Sequence, residues 1–286
     1  MEGVTIQEAI LRLDEIDEDV VPHDELRQIL GSFFLDPPVM RENDPFSADY
    51  RQGVLNLYEQ IFGKPYDATD EGLDINTEHE LAWGWPYGTQ SGPTIGGFLI
   101  AYGFLIKTMN LVRGARVLEI GCGTGALTMH LAKSGYRVTS LEVNASNVEL
   151  VNRMTAGYPV RPQVVLGDAA VFQTDERYDV IIFFESLHHF IEHEEFLRRC
   201  ISWLTDDGMI AFCAEPIVSE DSSHLAYPWG LRLDGESLRA MHKFGWIELG
   251  FRQSYFDQLM ERVGLIPSSI KRDSCRDSQA AKSLNQ

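Results

Sequence analysis

Val117-Leu118-Glu119-Ile120-Gly121-Cys122-Gly123-Thr124-Gly125 decides how the rest of the chain is to be understood. Four residues of an apolar run carry one acid near its end, and glycines then alternate before an apolar segment at helical spacing from Ala126 to Ser134. That is a strand, a tight turn and a helix start. Glycine lets the backbone turn sharply and approach a ligand, while the new helix presents unpaired N–H groups to it.

Downstream, strand and helix patterns alternate. Arg116–Ile120, Arg137–Glu142, Gln163–Leu166, Tyr178–Phe184 and 209–214 are expected strands, with helices over 146–155 and 194–204 between them. Short apolar strands flanked by helices predict an α/β fold, a Rossmann-like, mostly parallel sheet covered by helices on both faces. Ligands bind such sheets at the C-terminal ends of the strands. Glu119 and the glycine loop, then Glu142-Val143, then Asp168-Ala169, and finally Glu185 and His188-His189 lie at those ends.

Two chemistries fit the loop itself. Gly121, Gly123 and Ala126 satisfy the dinucleotide spacing, and Glu142 stands where a ribose-binding acid belongs, so an NAD-dependent oxidoreductase is one alternative. Glu119 argues the other way, because a carboxylate two residues before the first glycine suits a ligand with an ammonium group. Asp168 supplies an acceptor for an exocyclic amine.

Together these residues resemble the class I S-adenosylmethionine-dependent methyltransferases over about residues 94 to 216. The resemblance implies S-adenosyl-L-methionine as cofactor. Glu119 would hold its ammonium, Gly121, Cys122, Gly123 and Gly125 would line its methionine and ribose, Glu142 and Val143 would address the ribose, Asp168 and Ala169 the adenine, and Glu185 is a further cofactor-binding candidate. Tyr178-Asp179-Val180-Ile181-Ile182 resembles the family's fourth strand, and 204–208 the turn before its fifth. A hydroxyl or amine acceptor needs a base, and His188 or His189 is the candidate, with Glu185 to orient it and Glu215 as a further acceptor-side residue. No metal is expected, since His189 and His193 at i,i+4 lack a completing ligand. Nor does Glu185-Ser186-Leu187-His188 match the Asp/Asn-Pro-Pro-aromatic sequence of enzymes that methylate nucleobase amines.

Composition constrains the acceptor. The 286 residues carry a net charge of −19, of which −15 falls in residues 1–80. Such a field repels phosphate backbones and anionic membranes, so no nucleic-acid and no membrane partner is expected. The N-terminus lacks the basic and apolar segments of a secretion signal, and four scattered cysteines fit a reducing compartment, so a cytoplasmic location is expected.

The first 93 residues are expected to form an acidic helical extension to a domain over 94–286. Thr5-Ile6-Gln7-Glu8 is a capping box for a first helix, 22–34 is a second, and Tyr50 to Ile61 the apolar face of a third ending at Gly63. Amphipathic helices there make a homodimer an expectation. An insertion around 217–251 holds Tyr227, Trp229 and Trp246, which either stack on an acceptor or close the core. After Leu265–Ile270 the tail is polar and unpatterned, so the family's sixth and seventh strands are not legible.

The expected function is therefore methyl transfer to an oxygen, or secondarily a nitrogen, of a small molecule or glycan. The alternative from another class is a scaffold that binds the cofactor without catalysis, its acidic helices facing a partner.

Overall fold

The computed structural model describes residues 2–17, 20–38, 44–72, 75–222, 225–272 and 275–283. Met1, Ser223 and His224 of the insertion, and parts of the polar tail lie outside them. The chain divides into two compact units, one of residues 72–187, 192–215 and 257–286, the other of residues 1–71, 188–191 and 216–256.

The first of these holds the glycine loop. Its strands are β1 (Arg116–Ile120), β2 (Arg137–Glu142), β3 (Gln163–Leu166), β4 (Tyr178–Phe184), β5 (Leu204–Cys213), β6 (Leu265–Arg272) and β7 (Cys275–Ser283), side by side in the order 6-7-5-4-1-2-3. The five central strands run parallel, while β7 lies antiparallel to both β5 and β6. Val117, Leu118, Ile120, Val180, Ile181, Ile182 and Phe183 have no exposed surface, which is what strands covered on both faces require. At about 1.5–3 kcal/mol for each large apolar side chain, these strands supply much of the unit's stability.

One covering layer comes from Gly92–Met109, whose Ala101, Tyr102, Leu105 and Met109 join Leu127 and Leu131 of the helix Ala126–Lys133 against Val117, Val180 and Ile182. Ser91 caps the longer helix, accepting from Thr94 N. Ala145–Met154 and His193–Ser202 complete the helices between strands.

Strands β1 to β4 begin and end where the sequence places them; β5 starts five residues early, at Leu204, because the expected turn 204–208 continues the ladder with a register shift against β4. The sixth and seventh strands, absent from the sequence pattern, are present as β6 and β7. The polar tail needs no apolar alternation to pair, because it is held through main-chain groups, with Ala280 opposite Ala211 and Ala281 opposite Ile210.

The second unit joins the N-terminal helices and the insertion. Ile6–Asp14 carries the expected capping box, Thr5 N donating to Glu8 Oε2 at 2.9 Å and Glu8 N to Thr5 Oγ1 at 3.3 Å. The second helix stops at Leu30, four residues short of the expectation, since Phe33–Leu35 leaves it to pair with Glu2–Val4 as a parallel strand. Ala48–Phe62 ends at Gly63 in the left-handed conformation, φ 90°.

Ile217–Val218, Leu249–Arg252 and Trp229–Leu231 form a three-stranded sheet beside them. Trp229 is 2% exposed, its indole donating to Pro45 O at 2.7 Å while its own carbonyl accepts from Tyr50 Oη at 2.7 Å. Tyr227 is buried too. Both are core residues of this unit, which removes them as acceptor platforms. No helix among the described residues is long and apolar enough to cross a membrane.

Candidate functional site

In the parallel register Glu119 lies opposite Ser140 of β2. Its Oε2 accepts from Ser140 Oγ at 3.0 Å and from Thr128 Oγ1, one turn into the following helix, at 2.5 Å. Glu119 is 2% exposed, and burial, partly offset by those two hydroxyls, pushes its pKa up to about 7. A buried acid without a cationic partner is costly to ionise, and an ammonium group beside it would remove that cost.

Gly121, Gly123 and Gly125 all adopt positive φ, at 69°, 52° and 80°. At Gly125 a Cβ would lie 2.4 Å from Val151 Cγ2, so the loop closes on the helix Ala145–Met154 only with glycine there. Cys122 is a buried packing residue whose thiol burial and the Glu119 and Glu142 charges hold well above its usual pKa.

Glu142 is held differently, by main-chain groups. Gly123 N donates to Oε2 at 2.7 Å and Asn144 N to Oε1 at 2.9 Å, and the Asn147 side chain also bonds it. Burial raises its pKa all the same. Asn144 spends its own Oδ1 on Ser146 N and Asn147 N as the helix cap, so its side chain serves the helix start. Asp168 Oδ1 accepts from Ala170 N at 2.7 Å in the turn after β3, beside buried Ala169, and half-buried Val143 follows Glu142.

At the far ends of β4 and β5 the backbone is strained. Glu185 has φ 50° and Ala214 φ 60°, left-handed values that cost roughly 1–3 kcal/mol in a non-glycine residue. They turn the two chains so that Glu215 Oε1 accepts from both Ser186 N at 2.8 Å and Leu187 N at 2.9 Å. Glu215, an acceptor-side candidate in sequence, thus caps the short 3-10 turn Leu187–His189. Burial first, then Glu185 and Glu119, raise the pKa of Tyr102.

His188 and His189 belong to the unit of the N-terminal helices. Their rings lie 4.2 Å apart. His188 Nε2 is 3.7 Å from Glu248 Oε2, which Arg232 Nη2 contacts at 2.6 Å. His189 Nδ1 is 2.8 Å from Ile247 O and 3.2 Å from Glu71 Oε2, two acceptors that require Nδ1 to carry the proton. In a neutral ring the lone pair then sits on Nε2, the tautomer a base needs. His188, His189 and Glu248 also bring donor atoms within 4.8 Å of one another, without His193. Arg232 already neutralises that carboxylate, which disfavours a second cation. Glu71, Arg232 and Glu248 left no signal in the sequence, being far from the histidines along the chain.

The glycine-loop unit fits the expected cofactor on an observation independent of the motif. Beside the loop, two buried polar atoms lack a partner, Ser186 Oγ next to Gly121 and Asn147 Oδ1 next to Glu142. A ligand with hydrogen-bonding groups on either side of the loop would satisfy both. Glu119 would supply the carboxylate for an ammonium and Glu142 the one for a diol.

A family profile described as "Methyltransferase domain" matches residues 103–266, more than half of the chain. The chain belongs to this methyltransferase family. The order 6-7-5-4-1-2-3 with an antiparallel seventh strand is the class I, Rossmann-like form, and S-adenosylmethionine is the family's cofactor.

Among curated relatives, the (S)-tetrahydroprotoberberine N-methyltransferase of Eschscholzia californica is 27% identical over 100 residues, 34% of this chain and 29% of that protein. The ubiquinone biosynthesis O-methyltransferase of Rickettsia felis is 26% identical over 100 residues, 35% of this chain and 41% of that one. The match thus spans less than half the length of either methyltransferase. The 1,6-didemethyltoxoflavin-N1-methyltransferase of Burkholderia thailandensis, solved with 1,6-didemethyltoxoflavin and S-adenosylhomocysteine, shares the fold at a TM-score of 0.53 and 16% identity, over 88% of this chain and 94% of its own.

Proposed function

We propose that the chain transfers a methyl group from S-adenosylmethionine to an oxygen, secondarily a nitrogen, of a small molecule or glycan. The observation that carries this is the ordered set Glu119, glycine loop, Glu142 and Asp168 at the C-terminal ends of β1, β2 and β3. Glu119 would take the ammonium, Glu142 the ribose hydroxyls, and Asp168 with Ala169 the adenine. When bound, the cofactor supplies an activated methyl group on a sulfonium.

The chain's own contribution is then orientation and a proton acceptor. His189 supports an oxygen acceptor, because Ile247 O and Glu71 fix the proton on Nδ1 and make Nε2 the basic nitrogen of the neutral ring. His188, next to Glu248, is the second candidate. The relatives include both an N-methyltransferase and an O-methyltransferase, so the oxygen preference rests on the histidines. Absence of nucleic-acid and membrane partners, on the acidic charge, a cytoplasmic location, on the cysteine usage, and a homodimer, on the amphipathic N-terminal helices, belong to the same proposal.

Incubating cell extract with methyl-labelled S-adenosylmethionine, and identifying the labelled product by mass, tests it. A low-mass product with an O–CH3 group is expected, lost in a His188→Ala/His189→Ala double variant; labelled nucleic acid, or no product at all, would contradict it.

A further inference from the structure

Ser186 is the polar residue of the site that no part of the motif accounts for. It is 4% exposed, its N–H is taken by Glu215, and its Oγ has no partner. A buried hydroxyl left unpaired is destabilising, so its place in the fold asks for a ligand group. The surroundings say which end of a ligand that is. A Cβ built on Gly121 would lie 3.1 Å from Ser186 Cβ and 3.8 Å from Oγ, which puts the hydroxyl against the first glycine of the loop. In the sheet β4 flanks β1 on the side opposite β2, whereas Glu142 and the second unpartnered atom, Asn147 Oδ1, belong to β2 and the helix after it.

We infer that Ser186 Oγ binds the amino-acid arm of the cofactor, with Glu215 as the positioning residue that fixes the Ser186–Leu187 backbone through two N–H groups. This rests on the cofactor reading above. A hydroxyl both donates and accepts, so it suits a zwitterion whose ammonium faces Glu119 and whose carboxylate needs a donor. Glu215 holds the turn with one carboxylate oxygen against two N–H groups, leaving the Ser186 side chain as the part of that turn given over to the ligand.

Two ligands separate this role from a structural one. S-adenosylhomocysteine carries the arm; 5′-methylthioadenosine keeps the adenosine and thioether and lacks it. In isothermal titration of the full chain, Ser186→Ala is expected to weaken S-adenosylhomocysteine about tenfold and to leave 5′-methylthioadenosine within about twofold. Ser186→Cys, a weak hydrogen-bonder of similar size, is expected to repeat that pattern. The unliganded melting temperature should equal or exceed that of wild type, because no protein hydrogen bond is lost and an unpaired buried hydroxyl is removed. Asn147→Ala, on the ribose side, should weaken both ligands alike.

Equal loss for both ligands, or no loss for either, in both Ser186 variants would overturn the assignment while leaving the cofactor intact. A fall in melting temperature without loss of affinity would overturn it in favour of a packing role. A wild type that binds neither ligand would overturn the cofactor reading, and this assignment with it.

Discussion

The glycine-loop unit and the histidine cluster of the other unit both hold carboxylates in buried surroundings, but they hold them by different means. Around the loop, main-chain N–H groups do it: Gly123 and Asn144 on Glu142, Ser186 and Leu187 on Glu215. Around His188 and His189 charged side chains join in: Arg232 on Glu248, and His189 on Glu71, which also accepts from Ile247 N at 2.8 Å. Glu142 and Glu215 stand at or just past strand ends, where the sequence pattern marks them; Glu71 and Glu248 are tied to the histidines only by the tertiary fold.

The largest effect should come from removing a backbone-held acid. Glu142→Ala strands two N–H donors, each worth about 1–3 kcal/mol when buried and unpaired, and removes the carboxylate proposed to face the ribose. Titration should show S-adenosylhomocysteine binding weakened at least about a hundredfold, with a clear fall in melting temperature. Binding within a few-fold of wild type would mean that the loop keeps its shape and ligand without this clamp.

Glu119 sharpens the contrast, since side-chain hydroxyls hold it and burial dominates. Its folded pKa, about 7, lies above its unfolded value, so the folded state binds more protons between about pH 4.5 and 7 and stability should fall as pH rises through that window. The full span is about 3 kcal/mol. Glu119→Gln should flatten that part of the urea-unfolding profile and make the ligand-free protein more stable at pH 8, while weakening S-adenosylhomocysteine. For wild type, affinity should decline as pH drops below 7, because the ammonium requires the ionised acid. A variant with the same pH slope as wild type would show that Glu119 is not the group that titrates.

In the histidine cluster, Glu248→Ala leaves Arg232 without its partner. Arg232 is 31% exposed, so water recovers part of the loss, and about 2 kcal/mol of destabilisation is expected by urea unfolding. Arg232→Ala combined with Glu248→Ala should cost less than the sum of the two; strict additivity would break the pairing. The smallest effect concerns a local motif placed in that same unit. Thr5→Ala removes the capping box and should cost about 1 kcal/mol.

That division also marks how far the sequence could be followed. Strands β1 to β4 were legible because each is an apolar run closed by turn residues, and the acids proposed for the site stood out because each lies at a fixed distance from a strand end. The capping box at Thr5 and the αL stop at Gly63 were legible for the same local reason. Trp229 looked equally suited to stacking and to packing, and only the tertiary hydrogen bonds from Trp229 Nε1 and Tyr50 decide for packing. The polar tail was illegible as β6 and β7 because edge pairing runs through the backbone and leaves no hydropathy pattern. Thr128, Ser140 and Ser186 were passed over because a lone hydroxyl carries no spacing signal until the neighbouring strand is in register.

Titration of the purified chain with S-adenosylhomocysteine, with NAD run in parallel, tests the central claim most directly. Saturable one-to-one binding of S-adenosylhomocysteine and no heat from NAD is the predicted result. Tight NAD binding with no response to S-adenosylhomocysteine would contradict it.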